Sequence, residues 1–278
     1  MKRALTGFFL LPRPANCLIM ALSVYVGAFT AGIHWPTCEV LLAMLSAALV
    51  LGAGNAFNDI VDLNIDRINR PDRPLPGGLI SRRTATLETL ALTAGGLILA
   101  WCLGPTNGLI ASSAALLLLV YSLYLKTTSL WGNLVVALLA AAAFPYGALI
   151  SGSWGRSWIP AGFALLFHLG REIIKDIEDV KGDAAANART LPLRWGIPKA
   201  VLFSSLIFCI LIGFTLLPWL AGLYGNSYLI LVSLVDLILL YALFRLRQDP
   251  VNGGSHLNLL LKAGMFLGLL AIASGEFF

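Results

Sequence analysis

The chain is short of charge. Of its 278 residues, only 12% are Asp, Glu, Lys or Arg and 58% are hydrophobic, with a mean hydropathy of +0.84. Soluble domains carry roughly a quarter charged residues, so a water-soluble globule is excluded and an integral membrane protein is expected. Cysteine is scarce too. Cys17, Cys38, Cys102 and Cys209 stand in apolar surroundings with no CxxC or Cys/His spacing, which argues against a thiolate metal site and a disulfide framework. They are expected to be small buried hydrophobes. The positive excess of five is better explained by membrane topology than by nucleic acid, and no protein partner is inferred. Lys2 and Arg3 precede an apolar stretch, but Arg13-Pro14 interrupts it and no small-residue cleavage site follows. The segment therefore reads as an amphipathic lead-in to a retained span, not a signal peptide.

A spanning helix needs ~20 mostly apolar residues, and the charge-free gaps set the count. Residues 14–38 and 40–58 supply spans one and two; residues 89–125 supply two more, divided at "LGPTNG" (Leu103 to Gly108). Residues 127–155 give span five. Span six starts near Trp158 and is charged only from Arg171 onward. Residues 200–244, with Asp236 as their one charge, make spans seven and eight around "AGLYGNS"; about Leu257 to Ala273 makes span nine, with Lys262 snorkelling near its start. With the N-terminus in the cytoplasm, only Arg156 of the 19 basic residues falls outside, as the positive-inside rule asks. The expectation is an all-α membrane protein: nine transmembrane helices in one bundle, residues 1–278 forming a single domain, N-terminus cytoplasmic. Trp154 and Trp158 around Arg156 suit an interfacial aromatic belt.

Nine of the 14 acidic residues fall in two windows: Asp59, Asp62, Asp66 and Asp72, then Glu172, Asp176, Glu178, Asp179 and Asp183. One follows span two and the other ends span six, which puts both at the cytoplasmic face. Asn58, Asp62 and Asp66 are spaced by four and four; Asp176, Asp179 and Asp183 by three and four. Each set shares one helical stripe. Like charges so close repel unless a cation offsets them, and carboxylate and amide oxygens are hard ligands suited to Mg²⁺, which completes its shell with water and substrate phosphates. Two such stripes facing one cavity would bind a Mg²⁺-bridged diphosphate, with Arg67, Lys126, Arg171 and Lys175 as neutralising cations. Charged groups at a membrane edge are functional candidates by default. Asp236 reads as a group near an end or protonated, and His168 as a satisfied polar residue.

These residues resemble a known family. "NDIVDLNID" (Asn58 to Asp66) and "DIEDVKGD" (Asp176 to Asp183) are similar to the two aspartate motifs of the UbiA superfamily of intramembrane prenyltransferases, and "YSLYLK" (Tyr121 to Lys126) to its tyrosine-lysine motif. The likeness covers nearly the whole chain. It implies nine transmembrane helices with the motifs after helices two and six, and Mg²⁺ held by both motifs to bind a prenyl diphosphate. The C1–O bond then ionises and an acceptor traps the allylic cation. Carried over by motif, the metal set is Asn58, Asp59, Asp62, Asp66, Asp176, Asp179 and Asp183, with Asp59 off the main stripe. The resemblance adds Tyr121 and Lys126 to Asp62, Asp66, Asp179 and Asp183 as catalytic candidates. Arg13 and Asn16 in "LPRPANCLI" match a segment at the start of helix one and join Arg67, Lys126, Arg171 and Lys175 as substrate-binding candidates, with topology and helix capping as an equal reading.

"GAGNAFNDIVDLNIDRINRPDRPLPGGLIS" (Gly52 to Ser81) and "REIIKDIEDVKGD" (Arg171 to Asp183) are similar to the archaeal ether-lipid branch. Its implied reaction moves a geranylgeranyl group from geranylgeranyl diphosphate to the free hydroxyl of geranylgeranylglyceryl phosphate. The partners are then a prenyl diphosphate, a lipid-phosphate acceptor and membrane lipids, in a multi-pass cell-membrane protein whose active site faces the cytoplasm. The alternatives are an aromatic prenyltransferase acting on a ring such as 4-hydroxybenzoate and, from another class, a cation-coupled transporter. Transporter sites lie near the midplane, whereas these charges sit at one face. Arg70, Asp72 and Arg73 read as shaping the cytoplasmic loop.

Overall fold

The computed structural model describes residues 2–251 and 254–276. Its regular structure among those residues is helical: α1 (Lys2–Leu10), α2 (Pro14–Thr30), α3 (Cys38–Val61), α4 (Leu63–Asn69), α5 (Arg82–Leu103), α6 (Pro105–Val120), α7 (Trp131–Ala148), α8 (Trp158–Glu178), α9 (Val180–Ala185), α10 (Leu191–Trp195), α11 (Ile197–Leu220), α12 (Asn226–Gln248) and α13 (Gly254–Gly275). A π-helical turn, Tyr121–Leu125, extends α6.

Helix ends follow local chemistry. The Ser81 hydroxyl accepts from the Thr84 amide at 3.1 Å and caps α5. Pro14 and Pro105 open α2 and α6, where a missing N–H costs nothing. The turn expected over Leu103 to Gly108 contracts to Gly104, whose φ of 134° needs glycine.

Among the described residues eight helices are long and apolar enough to cross a membrane: Leu5–Thr30, Cys38–Val61, Arg82–Leu103, Pro105–Leu125, Trp131–Ser151, Ile197–Leu220, Asn226–Gln248 and Leu257–Gly275. The chain is an integral membrane protein. The sixth span read from the sequence forms α8, 21 residues long; its last turns carry Arg171, Glu172, Lys175, Asp176 and Glu178, so it is less apolar than the eight.

The helices form a ring. α2 packs on α3 and α7, α3 on α5 and α6, α7 on α8, α8 on α11, α11 on α12, α12 on α13, and α13 returns to α2. At the α2–α7 crossing, Gly27 lies against the Phe144 carbonyl and Gly147 against the Val24 carbonyl, with no room for a Cβ at either. The main core gathers Phe144, Phe163, Phe167, Phe208 and Tyr228 between α7, α8, α11 and α12. The expectation for the cysteines is corrected: Cys38, Cys102 and Cys209 are exposed and Cys17 is half-buried. A lipid-facing surface is itself apolar, so a small hydrophobe has no need of protein cover there. Asp236 lies mid-helix in α12, buried, and the Thr215 hydroxyl of α11 donates to its carboxylate at 3.1 Å.

Candidate active site

Both aspartate motifs adopt one shape. α3 runs to Val61, breaks at Asp62 (φ −84°, ψ 3°) and continues as α4. α8 runs to Glu178, breaks at Asp179 (φ −88°, ψ 6°) and continues as α9. The kinks stay helical in hydrogen bonding: Asp62 N donates to Asn58 O at 2.8 Å, Asp66 N to Asp62 O at 2.8 Å, and Asp183 N to Asp179 O at 3.0 Å. The stripes expected from spacing therefore survive, each bent at its middle aspartate. The two segments meet through Asn69. Its Nδ2 donates to the Asp179 carbonyl at 3.2 Å, and its Oδ1 accepts from the Gly182 amide at 3.1 Å.

Ion pairs set the side chains. Lys126 Nζ and Asn58 Nδ2 both donate to Asp62 Oδ2, the latter at 2.6 Å. Arg73 bridges Asp59 at 3.2 Å and Asp66 at 2.6 Å. Arg70 bridges Glu178 at 3.1 Å and Asp179 at 3.0 Å. Arg13, held at φ 59°, reaches Asp59 at 2.5 Å. Lys175 and Arg171 meet Glu172 at 2.6 and 3.2 Å. Asn133 Nδ2 donates to Asp176 at 2.9 Å.

The π turn explains how one short stretch supplies two groups. Lys126 N bonds to Tyr121 O at 2.9 Å, one residue beyond the α-helical register. Tyr121 and Lys126 both line the chamber.

That chamber, about 200 Å³, is walled at its charged end by Arg13, Asn16, Asn58, Asp66, Lys126, Arg171, Glu172, Lys175, Asp176, Asp179 and Asp183, and by Leu51, Leu118, Leu139 and Met265 toward the bundle interior. Asp62 is buried behind it, between Asn58 and Lys126. Two expected site residues lie elsewhere. Asp59, 1% exposed, is not at the chamber wall: its Oδ1 is taken by Arg13 and Arg73. Arg67 is exposed, turned away from the buried Asp66 by one helical step, and among the described residues its side chain reaches Asn64 at 3.4 Å. Arg70 and Arg73, read from the sequence as loop residues, are tied into both motifs.

Asn69 and Asn133 also escaped the sequence. A hint existed in Gly182, a helix-disfavouring residue inside the second motif. Lys262, expected to snorkel, lines the chamber, as does His168, whose Nδ1 is buried without a partner.

The family model described as "UbiA prenyltransferase family" matches residues 18–270. The chain belongs to the UbiA prenyltransferase family. It is 36% identical over 275 residues to a digeranylgeranylglyceryl phosphate synthase of Methanoculleus marisnigri, covering 97% of this chain and 98% of the relative. It is 36% identical to one of Thermococcus kodakarensis, covering 95% and 96%. A solved structure concerned with digeranylgeranylglyceryl phosphate synthase in membranes superposes with a TM-score of 0.75 at 30% identity, over 99% of both chains. A UbiA homolog from Archaeoglobus fulgidus bound to GPP and Mg²⁺ shares the fold at a TM-score of 0.75 and 22% identity, over 97% of this chain and 98% of that one.

The donor set of this UbiA chain fits Mg²⁺. Every candidate ligand atom is a hard oxygen, and Asn58 Oδ1 is buried with no hydrogen-bond partner. Among the described residues no three acidic, His or Cys side chains converge on one point. Burial pushes the Asp66 carboxyl above its ordinary range, against the pull of Arg73. Burial, with Asp179 nearby, pushes Asp183 up to about 6.

Proposed function

We propose that this UbiA prenyltransferase moves a geranylgeranyl group from geranylgeranyl diphosphate to the free hydroxyl of geranylgeranylglyceryl phosphate and releases diphosphate. The observation that carries this reading is the pair of kinked aspartate segments, joined by Asn69 at the head of a chamber whose far end is apolar. The full-length similarity to named synthases supports the choice of acceptor.

Asn58, Asp62, Asp66, Asp176, Asp179 and Asp183 would hold Mg²⁺, which when bound offsets the negative charge of the diphosphate and so improves it as a leaving group. The chain's own groups do the rest. Lys126 and Arg73 put fixed positive charge at the diphosphate end, positioned in advance by Asp62 and Asp66. The C1–O bond breaks with its electron pair on the diphosphate oxygen, the acceptor oxygen bonds to C1, and the hydroxyl proton passes to the released diphosphate. Tyr121 and Asn16 face this space from the wall. The apolar far end receives prenyl chain and keeps water from the allylic cation.

We further infer nine spans in one domain, with α8 as the ninth, the N-terminus and the active site on the cytoplasmic face of the cell membrane. The bias of 18 basic residues to one side under that count supports it. The test is transfer of label from radiolabelled geranylgeranyl diphosphate with Mg²⁺ and competing acceptors. Labelled product on the glyceryl phosphate is expected; labelling of 4-hydroxybenzoate in its place would overturn the choice of acceptor.

A further inference from the structure

Two smaller apolar limbs adjoin the chamber. One lies between α3, α6 and α7 and is lined by Leu51, Leu118 and Tyr146. The other descends between α8, α12 and α13 past Phe167, Val232 and Gly268. Both share wall residues with the chamber: Leu51 and Leu118 belong to the first limb and the chamber, Ala164 and Met265 to the second and the chamber. α2 and α7 form the partition. Met20 and Ala143 face the first limb while Ile19 and Phe144 face the second, and the close glycine contacts at Gly27 and Gly147 lock the two helices together. A reaction that joins two long prenyl chains needs two apolar slots, and the fold supplies two.

The limbs differ at their heads. The first shares Leu51, Leu118 and Leu139 with the chamber and, among the described residues, has no cation in its wall. The second shares with the chamber Met265, one turn after Lys262 on α13, and His168, one turn before Arg171 on α8. Arg13, Arg73, Lys126, Arg171 and Lys175 in the chamber wall each meet a carboxylate. Lys262 meets none among the described residues. Arg171 is only 8% exposed; it shares Glu172 with Lys175 and gives Nη2 to Asn258 at 3.0 Å, and its Nε has no partner. An uncompensated ammonium beside a buried guanidinium with an idle donor calls for an anion, and a phosphate monoester fits a guanidinium's fixed donors.

We propose that Lys262 and Arg171 bind the phosphate of the acceptor, whose prenyl chain lies in the α8–α12–α13 limb, leaving the α3–α6–α7 limb to the donor chain. This rests on the reaction proposed above. It separates the two anionic heads: the diphosphate goes to the aspartate segments and the monophosphate to α8 and α13, with the acceptor hydroxyl between them.

The experiment compares geranylgeranylglyceryl phosphate with its dephosphorylated analogue as acceptors, in the wild type, Lys262→Gln, Lys262→Arg and Gly268→Phe. Lys262→Gln should raise KM for the phosphorylated acceptor about tenfold or more, the scale of a lost charge-assisted contact, with the donor KM unchanged. On the dephosphorylated acceptor Lys262→Gln and wild type should match, and Lys262→Arg should restore phosphate preference. Gly268 has open space where a Cβ would stand, so Gly268→Phe should fill the limb and raise KM for the acceptor alone. A rise in the donor KM, an equal loss on both acceptors, or no change in Lys262→Gln would overturn the assignment while wild-type turnover leaves the reaction standing. A wild type that transfers to neither glyceryl acceptor would overturn the reaction itself.

Discussion

The Gly182 amide donates to Asn69 Oδ1 at 3.1 Å, and a Cβ on Gly182 would overlap the Asn69 carboxamide. This contact fixes the spacing of the two aspartate segments across more than a hundred residues of chain. Gly182→Ala should push α9 off α4 at a cost of about 1–3 kcal/mol, the usual range for forced overpacking. Turnover should fall further than the melting temperature suggests, because the spacing itself is what catalysis uses. Thermal unfolding and kcat measured on one preparation would check this; an active Gly182→Ala with an unshifted melting temperature would remove Asn69 from the account.

Asp62 and Asp179 sit at equivalent kinks. Asp62→Ala and Asp179→Ala should each lower kcat by roughly three orders of magnitude or more, as loss of a preorganised electrostatic group does, while the protein still folds into membranes. Full activity in either variant would contradict a site built from both segments.

Arg67 and Arg73 make a paired test. Arg73→Ala removes the ion-pair partner of Asp66 and leaves Asp59 to Arg13 alone, and should cut turnover at least about tenfold, since a buried charge left without its partner is costly. Arg67→Ala, which removes a single exposed contact to Asn64, should leave turnover within about twofold. The reverse order, read from kcat/KM, would mean that diphosphate recognition runs along the outer side of α4.

Much of this was legible in the sequence and some was not, for physical reasons. Charge-free gaps located the long helices because lipid forbids charge in them, and regular spacing placed Asp62 with Asp66 and Asp179 with Asp183 because helical periodicity is local. The kinks at Asp62 and Asp179 were invisible, since their hydrogen bonding keeps the same register. Arg73 and Arg67 could not be ranked from spacing, because their difference depends on how the loop after α4 folds back over α3. Asn69 and Asn133 act through partners on other segments and left no pattern of their own.

Asp183 carries a pH signature. Its folded-state pKa of about 6 lies above the ordinary 3.8, so the folded state holds its proton more tightly than the unfolded chain does. Stability tied to this group is present at low pH and is lost as pH rises between those values. Asp183→Asn should therefore raise the melting temperature at neutral pH while abolishing transfer. Because a carboxylate must lose its proton to bind a cation, Mg²⁺ affinity should weaken as pH falls below about 6. Melting curves and Mg²⁺ titrations from pH 5 to 8 would read both; a lowered melting temperature in Asp183→Asn would contradict the sign.

The central claim is that both aspartate segments together bind the donor diphosphate through Mg²⁺. Calorimetric titration of the wild type, Asp66→Ala and Asp183→Ala with geranylgeranyl diphosphate, with Mg²⁺ and again with EDTA, addresses it directly. The account predicts binding in the wild type with Mg²⁺, and its loss in EDTA and in each variant. Equal affinity in EDTA, or undiminished Mg²⁺-dependent binding in either variant, would contradict it.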